Sequence, residues 1–208
     1  MFPRDRRNFI LQALAAGLVL ASAAGASLFA QAQTPSGVRP GAAAPDFAAQ
    51  GSDGKTHHLS DYRGSTVILE WTSPICEVTA QYYDSGKIQA LQKEAARRKI
   101  VWLSINTAAS NRKGYLTAQA ADQLSRKRGA TVTAFLFDPT GAVGRQFGAK
   151  ATPSAYVINA KGEVVYQGAV AADPAGGANY LLAALDEIGA GKPVSLPFTP
   201  QRGCPVEY

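Results

Sequence analysis

Cysteine and histidine are scarce in this sequence. Its 208 residues include two of each, too few cysteines for a disulfide-rich miniprotein or a four-cysteine zinc site. No internal repeat is visible, which excludes solenoids and propellers, and there is no phosphate-binding glycine loop. With 46% hydrophobic and 17% charged residues, the composition is that of one ordinary folded domain.

Neither metal nor nucleic acid is an expected partner. His57 and His58 are neighbours on an extended segment, so their side chains point to opposite faces and would not readily share an ion. The net charge is +6, of which three arginines and Asp5 supply +2 within the first seven residues. The remainder is unremarkable, and the basic cluster at residues 93–99 is most simply a solvated helix face.

The first 32 residues have the layout of an export signal. Arg6-Arg7 precedes an apolar stretch at residues 13–24, and Ala30-Gln31-Ala32 provides a cleavage site. The arginine pair indicates twin-arginine export, while Asp5 before it keeps ordinary secretory export and a retained membrane anchor open. Cleavage after Ala32 would leave a periplasmic protein without stable membrane insertion, in a compartment where disulfides persist.

The remaining chain divides into a linker, one domain and a tail. Residues 33–45 are rich in proline, glycine and alanine and are expected to be extended. Residues 46–190 are expected to form the domain. Residues 191–208, which carry Cys204, contain four prolines and are expected to be irregular.

Hydrophobic periodicity predicts alternating strands and helices in this domain. The predicted strands are a hairpin of 46–50 with 55–59, then 66–71, 100–106, 134–137, and a second hairpin of 154–158 with 163–166. The predicted helices are 79–98, 117–128 ending at Gly129, 141–147 and 179–188. This order indicates an α/β fold with a mixed central sheet, flanked by helices on both faces and preceded by an N-terminal hairpin.

Four segments resemble the thioredoxin-like superfamily. They are the Asp53-Gly54-Lys55 hairpin, the strand ending in Glu70-Trp71, Cys76 at the start of a helix, and Ala151-Thr152-Pro153 before a strand. The hairpin is similar to the entry segment of the peroxiredoxins (the alkyl hydroperoxide reductase/thiol-specific antioxidant, or redoxin, family) and of exported membrane-linked thioredoxins. The resemblance covers about residues 38–190 and implies a thioredoxin-like fold, a cis peptide at Thr152-Pro153, and thiol chemistry without a cofactor.

The spacing around Cys76 separates two branches of this superfamily. Thioredoxins carry Cys-x-x-Cys and peroxiredoxins Thr-x-x-Cys, whereas this chain has Cys76-Glu77-Val78-Thr79. Pro153 stands where peroxiredoxins bring an arginine to the site. A rival register treats Ser73-Pro74-Ile75-Cys76 as a variant Thr-x-x-Cys.

The resemblance therefore implies exchange with protein or small-molecule thiols and disulfides, through a reductant that the sequence does not name. Two alternatives stay open. One is a thiol peroxidase, with peroxides as substrates. The other is a non-catalytic binding protein with a locked disulfide.

Cys76 is the candidate nucleophile. A thiolate is the reactive species, and a helix start lowers a cysteine pKa through its free N–H groups and partial positive charge. Glu77 beside it acts in the opposite direction, and the alternatives are a structural half-cystine or an inert buried thiol. Cys204 is a resolving partner that attacks Cys76, a permanent staple of the tail, or an unconnected thiol.

Five further residues complete the candidate site. Glu70, inside an apolar strand, is expected to have a pKa raised by burial and to transfer protons for the nucleophile, unless its carboxylate reaches solvent or a lysine. Thr79 is expected to donate a hydrogen bond to the nucleophile's sulfur, or else only to begin the helix. Trp71, Thr152 and Pro153 are expected to shape the substrate groove.

Overall fold

An interior strand of the sheet, β3 (Val67–Trp71), leads to the candidate site in a computed structural model that describes residues 37–208. All five of its side chains are buried, because strands flank it on both sides and other layers cover both faces. It pairs in parallel with β4 (Val101–Asn106) and antiparallel with β7 (Ser154–Ile158).

The sheet is mixed, as the sequence predicts. Within residues 37–208 it contains seven strands in the order β2-β1-β5-β4-β3-β7-β8. Its other members are β1 (Ala48–Gly51), β2 (Thr56–His58), β5 (Ala134–Phe137) and β8 (Val164–Gly168). Only the β3–β4 and β4–β5 pairs of this sheet are parallel.

Helices cover both faces of this sheet. They are α1 (Glu77–Asp84), α2 (Lys87–Arg97), α3 (Ala118–Arg128), α4 (Ala142–Phe147) and α5 (Tyr180–Gly189), with a short 3₁₀ turn at Leu59–Tyr62. Apolar side chains of α1, α2 and α5 pack with Ile68 and Trp102, and those of α4 pack with Leu69 and Trp71 on the opposite face. The predicted α/β arrangement with two helical layers is confirmed.

The helix predicted at 79–98 is two helices. The helical conformation is interrupted at Gly86, whose φ of 75° lies in the left-handed region, where glycine carries no steric penalty. The first of the two begins at Glu77, two residues earlier than predicted, because Cys76 caps it. Both helices still pack on the same face of the sheet.

His57 ties the N-terminal hairpin together. Its Nδ1 lies 2.6 Å from the Tyr62 hydroxyl and its Nε2 lies 3.1 Å from Oδ1 of Asp53. His58 is exposed at the edge of the sheet. Among residues 37–208, no group of three or more histidine, cysteine or acidic side chains is arranged to hold a metal ion.

The segments flanking the predicted domain join it through backbone hydrogen bonds. Gly41 donates to the carbonyl of Val164, and Val164 donates to that of Ala42, so part of the predicted 33–45 linker lies beside β8. In the tail, predicted to be irregular, β9 (Cys204–Pro205) pairs with β6 (Ala151–Thr152). The predicted export signal lies outside the described residues, and none of the helices within them has the length and apolarity to span a bilayer.

Candidate redox site at the start of helix α1

Cys76 is the N-cap residue of α1. Its φ and ψ of −83° and 116° are extended, and the backbone N–H of Thr79 donates to its Sγ over 3.4 Å. The first N–H groups of a helix have no partner within the helix and carry a partial positive charge. A thiolate at this position is therefore stabilised, as the sequence analysis expects of a nucleophile.

A disulfide joins Cys76 to Cys204. Their Cα atoms are 5.7 Å apart and their sequence separation is 128 residues. The proposal of two unconnected thiols is therefore wrong. In the bonded state Cys76 is only 2% exposed, since the tail lies over it, whereas Cys204 is partly exposed.

The disulfide lies against the loop that contains Pro153. The Thr152–Pro153 peptide is cis, as the resemblance implies. Sγ of Cys76 is 3.1 Å from the carbonyl oxygen of Thr152, and Thr152 pairs with Cys204 in the antiparallel β6–β9 ladder. Cys76, Cys204, Thr152 and Pro153 thus meet at one place.

Anchors hold the tail on both sides of Cys204. Before it, Oε1 of Gln201 accepts hydrogen bonds from the backbone N–H groups of Lys150 and Ala151, at 2.7 and 3.3 Å, and its Nε2 donates to the Tyr156 hydroxyl at 2.8 Å. These contacts fix the tail directly beside β6. Sequence reasoning missed Gln201, because a single glutamine among prolines carries no signal of its long-range partners.

The last two residues form the second anchor. Oε2 of Glu207 accepts from the backbone N–H of Gly114 at 3.0 Å, and the Tyr208 hydroxyl donates to the carbonyl of Ala149 at 2.5 Å. The guanidinium of Arg145 lies 5.2 Å from the centre of the Tyr208 ring, within cation–π range. These contacts fix the chain end after Cys204, as those of Gln201 fix the segment before it.

Glu70 is fully buried beneath the face that α1 and α2 cover. Its Oε2 accepts hydrogen bonds from Nε1 of Trp102 at 2.9 Å and from Oγ of Ser104 at 2.8 Å, while its Oε1 has no partner among the described residues. Burial raises its pKa, against the lowering effect of these two bonds. The expected direction of the pKa shift is confirmed, and the alternative of a carboxylate reaching solvent or a lysine is wrong.

Glu70 does not contact the disulfide directly. Its hydrogen bonds within residues 37–208 go to β4. Arg128 lowers the pKa of Glu70 by its charge and donates to the carbonyl of Ser73, three residues before Cys76, at 3.4 Å. Proton transfer between Glu70 and Cys76 stays a prediction.

Thr79 and Trp71 differ from expectation in detail. Thr79 does donate to the Cys76 sulfur, but through its backbone N–H; its buried hydroxyl has no partner in the described part of the chain. Trp71, predicted to line the substrate groove, is instead fully buried. Its ring packs against Phe147 and Tyr156, because alternation along β3 directs it to the core face opposite Glu70.

The sequence matches a known protein family. The model of the AhpC/TSA family matches residues 40–167, more than half of the chain. The chain belongs to the AhpC/TSA family. No curated protein matches the sequence. The peroxiredoxin-like, or redoxin, assignment made from the four motifs is thereby confirmed.

Solved structures share the fold. An uncharacterized conserved protein from Geobacillus kaustophilus superposes with a TM-score of 0.72 at 21% identity, covering 84% of this chain and 92% of its own. A hypothetical protein from Sinorhizobium meliloti 1021 gives 0.70 at 21% identity, covering 84% and 95%. A candidate thiol:disulfide interchange protein, DsbE, from Chlorobium tepidum gives 0.51 at 26% identity, covering 62% and 84%. The fold is thioredoxin-like.

Proposed function

We propose that this protein is an exported thiol–disulfide oxidoreductase in which Cys76 is the nucleophile and Cys204 its resolving partner. The observation that supports it most is the position of the Cys76–Cys204 bond, at the start of α1 and against the cis peptide before Pro153. The substrates are protein or small-molecule thiols and disulfides.

The exchange proceeds in two displacements. In the reduced protein, the Cys76 thiolate attacks one sulfur of a substrate disulfide; a Cys76–substrate disulfide forms and the other substrate sulfur leaves as a thiolate. The Cys204 thiolate then attacks Sγ of Cys76, which releases the second substrate thiolate and forms the Cys76–Cys204 bond. The substrate has gained two electrons, which a dithiol reductant restores to the protein.

The residues around Cys76 assist each step. The N–H of Thr79 stabilises the thiolate before attack and when Cys76 leaves. Gln201 and Tyr208 hold Cys204 close to Cys76, which raises the effective concentration of the resolving thiol. Glu70, whose pKa burial raises, is the carboxyl group proposed to exchange protons with the site.

The test is a trapping experiment with full-length mature protein. The Cys204→Ser variant, reduced and then exposed to glutathione disulfide, should form a Cys76–glutathione mixed disulfide that mass spectrometry detects. The Cys76→Ser variant is the matched control, because it keeps a single cysteine in the same tail. If both variants react equally slowly, Cys76 is not an activated nucleophile and the proposal is wrong.

Two alternatives are distinguished by the same proteins. Rapid sulfenic acid formation on Cys76 with hydrogen peroxide, and no reaction with glutathione disulfide, would indicate a thiol peroxidase. A non-catalytic protein with a locked disulfide is favoured by the anchors on both sides of Cys204. It would show a wild-type bond that opens only under strong reductant.

Export to the periplasm is part of the proposal. It is supported by the order of charged, apolar and small residues in the first 32 positions. Cell fractionation and N-terminal sequencing should find a periplasmic protein beginning at Gln33. A protein that stays in the cytoplasm with its first residues intact would contradict export, and replacing Arg6 and Arg7 with lysine tests the twin-arginine route.

A further inference from the structure

The separate two-stranded β6–β9 ladder has the form of a peptide docked on an extended segment of the protein. β9 is an extended two-residue strand that pairs antiparallel with Ala151 and Thr152, and Val206 donates to the carbonyl of Lys150 beyond it. Its cysteine is covalently bound to Cys76. An extended segment that adds backbone hydrogen bonds to an exposed edge is a general mode of peptide recognition.

We propose that residues 203–206 are a built-in copy of the peptide substrate, and that the edge of β6 binds peptides with glycine directly before their reactive cysteine. The tail thereby competes with a peptide for the groove: the disulfide holds it there, and after reduction the β6–β9 pairing still opposes peptide binding. This inference rests on the proposed function, because it requires Cys76 to exchange disulfides with a peptide.

Gly203 sets the requirement for glycine. Its φ of 141° is a conformation that other residues rarely adopt, and a Cβ added there would overlap the backbone carbonyl of Thr152. The oxygen of that carbonyl already lies 3.1 Å from Sγ of Cys76. A peptide that repeats the path of the tail meets the same backbone, so any side chain at this position is rejected sterically.

The anchors keep the tail beside β6, where it competes with a substrate peptide. Gln201 and Tyr208 hold the segment from both sides, so only residues 203–206 need to lift from β6 to admit a peptide. After the peptide is bound to Cys76, Cys204 returns to attack Sγ of Cys76. The peptide leaves as a thiolate and the tail resumes its place.

The first experiment uses peptide probes against the reduced Cys204→Ser variant. The probe is the octapeptide of residues 201–208 with its cysteine activated as a disulfide to thionitrobenzoate; attack by Cys76 forms the Cys76–peptide bond and releases the coloured thiolate. A matched peptide has alanine in place of glycine. We expect the glycine peptide to react about tenfold faster, which corresponds to about 1.4 kcal/mol of selection. Equal rates would overturn the inference.

The second experiment opens the groove within the full chain. Gly203→Ala, combined with Cys204→Ser, should displace β9 and raise the rate with the glycine peptide by about threefold or more, since a competitor for the bound state is removed. Gly191→Ala, also combined with Cys204→Ser, is the control, because Gly191 has a positive φ of 69° and no atom lies within 4 Å of an added Cβ. If Gly203→Ala and Gly191→Ala give the same rate, the tail does not compete and the inference is wrong.

Failure of the inference is distinct from failure of the proposed function. Glutathione disulfide has no extended backbone of the required length and reports only on Cys76 as a nucleophile. A Cys76 that ignores glutathione disulfide refutes the proposed function. A Cys76 that reacts with it, yet does not distinguish the two peptides, refutes only the substrate preference.

Discussion

Reduction of the Cys76–Cys204 bond should destabilise the folded protein by about 3–5 kcal/mol. The bond closes a loop spanning 128 residues, and in the chain-entropy account opening such a loop in the unfolded chain costs about 5 kcal/mol of stability. Any loosening of residues 203–206 in the reduced folded protein returns at most about 1 kcal/mol of backbone freedom per residue. The few hydrogen bonds lost, at about 1 kcal/mol each, offset part of that return.

The assay is urea unfolding of the mature protein with and without dithiothreitol, followed by circular dichroism. With a slope of about 2 kcal/mol per molar urea, the midpoint should fall by about 1.5–2.5 M on reduction. The Cys204→Ser variant is the control, because reductant should not change its midpoint. Oxidised and reduced wild-type midpoints within about 0.5 M of each other would refute the reasoning.

Three further predictions concern single side chains. Because burial raises the folded-state pKa of Glu70, the free energy that this residue contributes to stability is fully present below the ordinary pKa of 4.5 and is lost as pH rises through the folded-state pKa. Glu70→Gln should flatten this fall in unfolding free energy, and an unchanged pH profile would contradict the prediction. Thr79→Val keeps the backbone N–H, so the Cys76 thiol pKa, measured from alkylation rates in the Cys204→Ser variant, should move by less than about half a unit; a rise of a full unit would assign the effect to the hydroxyl. Gln201→Ala should cost about 1–3 kcal/mol in denaturant unfolding, because its hydrogen bonds to Lys150, Ala151 and Tyr156 are lost, and no loss would mean that Gln201 is not an anchor.

The fold could be predicted because local patterns and tertiary structure agree. The run at residues 67–71 is apolar except for Glu70, which predicts a strand covered on both faces, and all five of its side chains are buried. The break at Gly86 could not be predicted with confidence from pattern alone, because apolar side chains continue at helical spacing across it and both helices pack on the same face. A glycine inside a helical pattern indicates a helix break only when its φ is known to be positive.

The site could be predicted in part. Cys76 and Pro153 are recognisable from local motifs, whereas the pairing of Cys204 with Thr152 depends on the path of a tail whose prolines indicate no regular structure. Trp71 is predicted to shape the groove, but strand alternation directs its side chain into the core. Contacts such as that of Gln201 with Tyr156 join distant segments and have no local signature.

In the proposed function, thiol–disulfide exchange opens and closes the Cys76–Cys204 bond. The most direct measurement equilibrates the mature protein in glutathione and dithiothreitol buffers of graded potential and counts free thiols by alkylation and mass spectrometry. If the bond exchanges in this way, we expect a reversible transition between about −120 and −300 mV, the range of catalytic disulfides. A bond that stays closed until well below about −300 mV would identify a permanent staple and contradict the account.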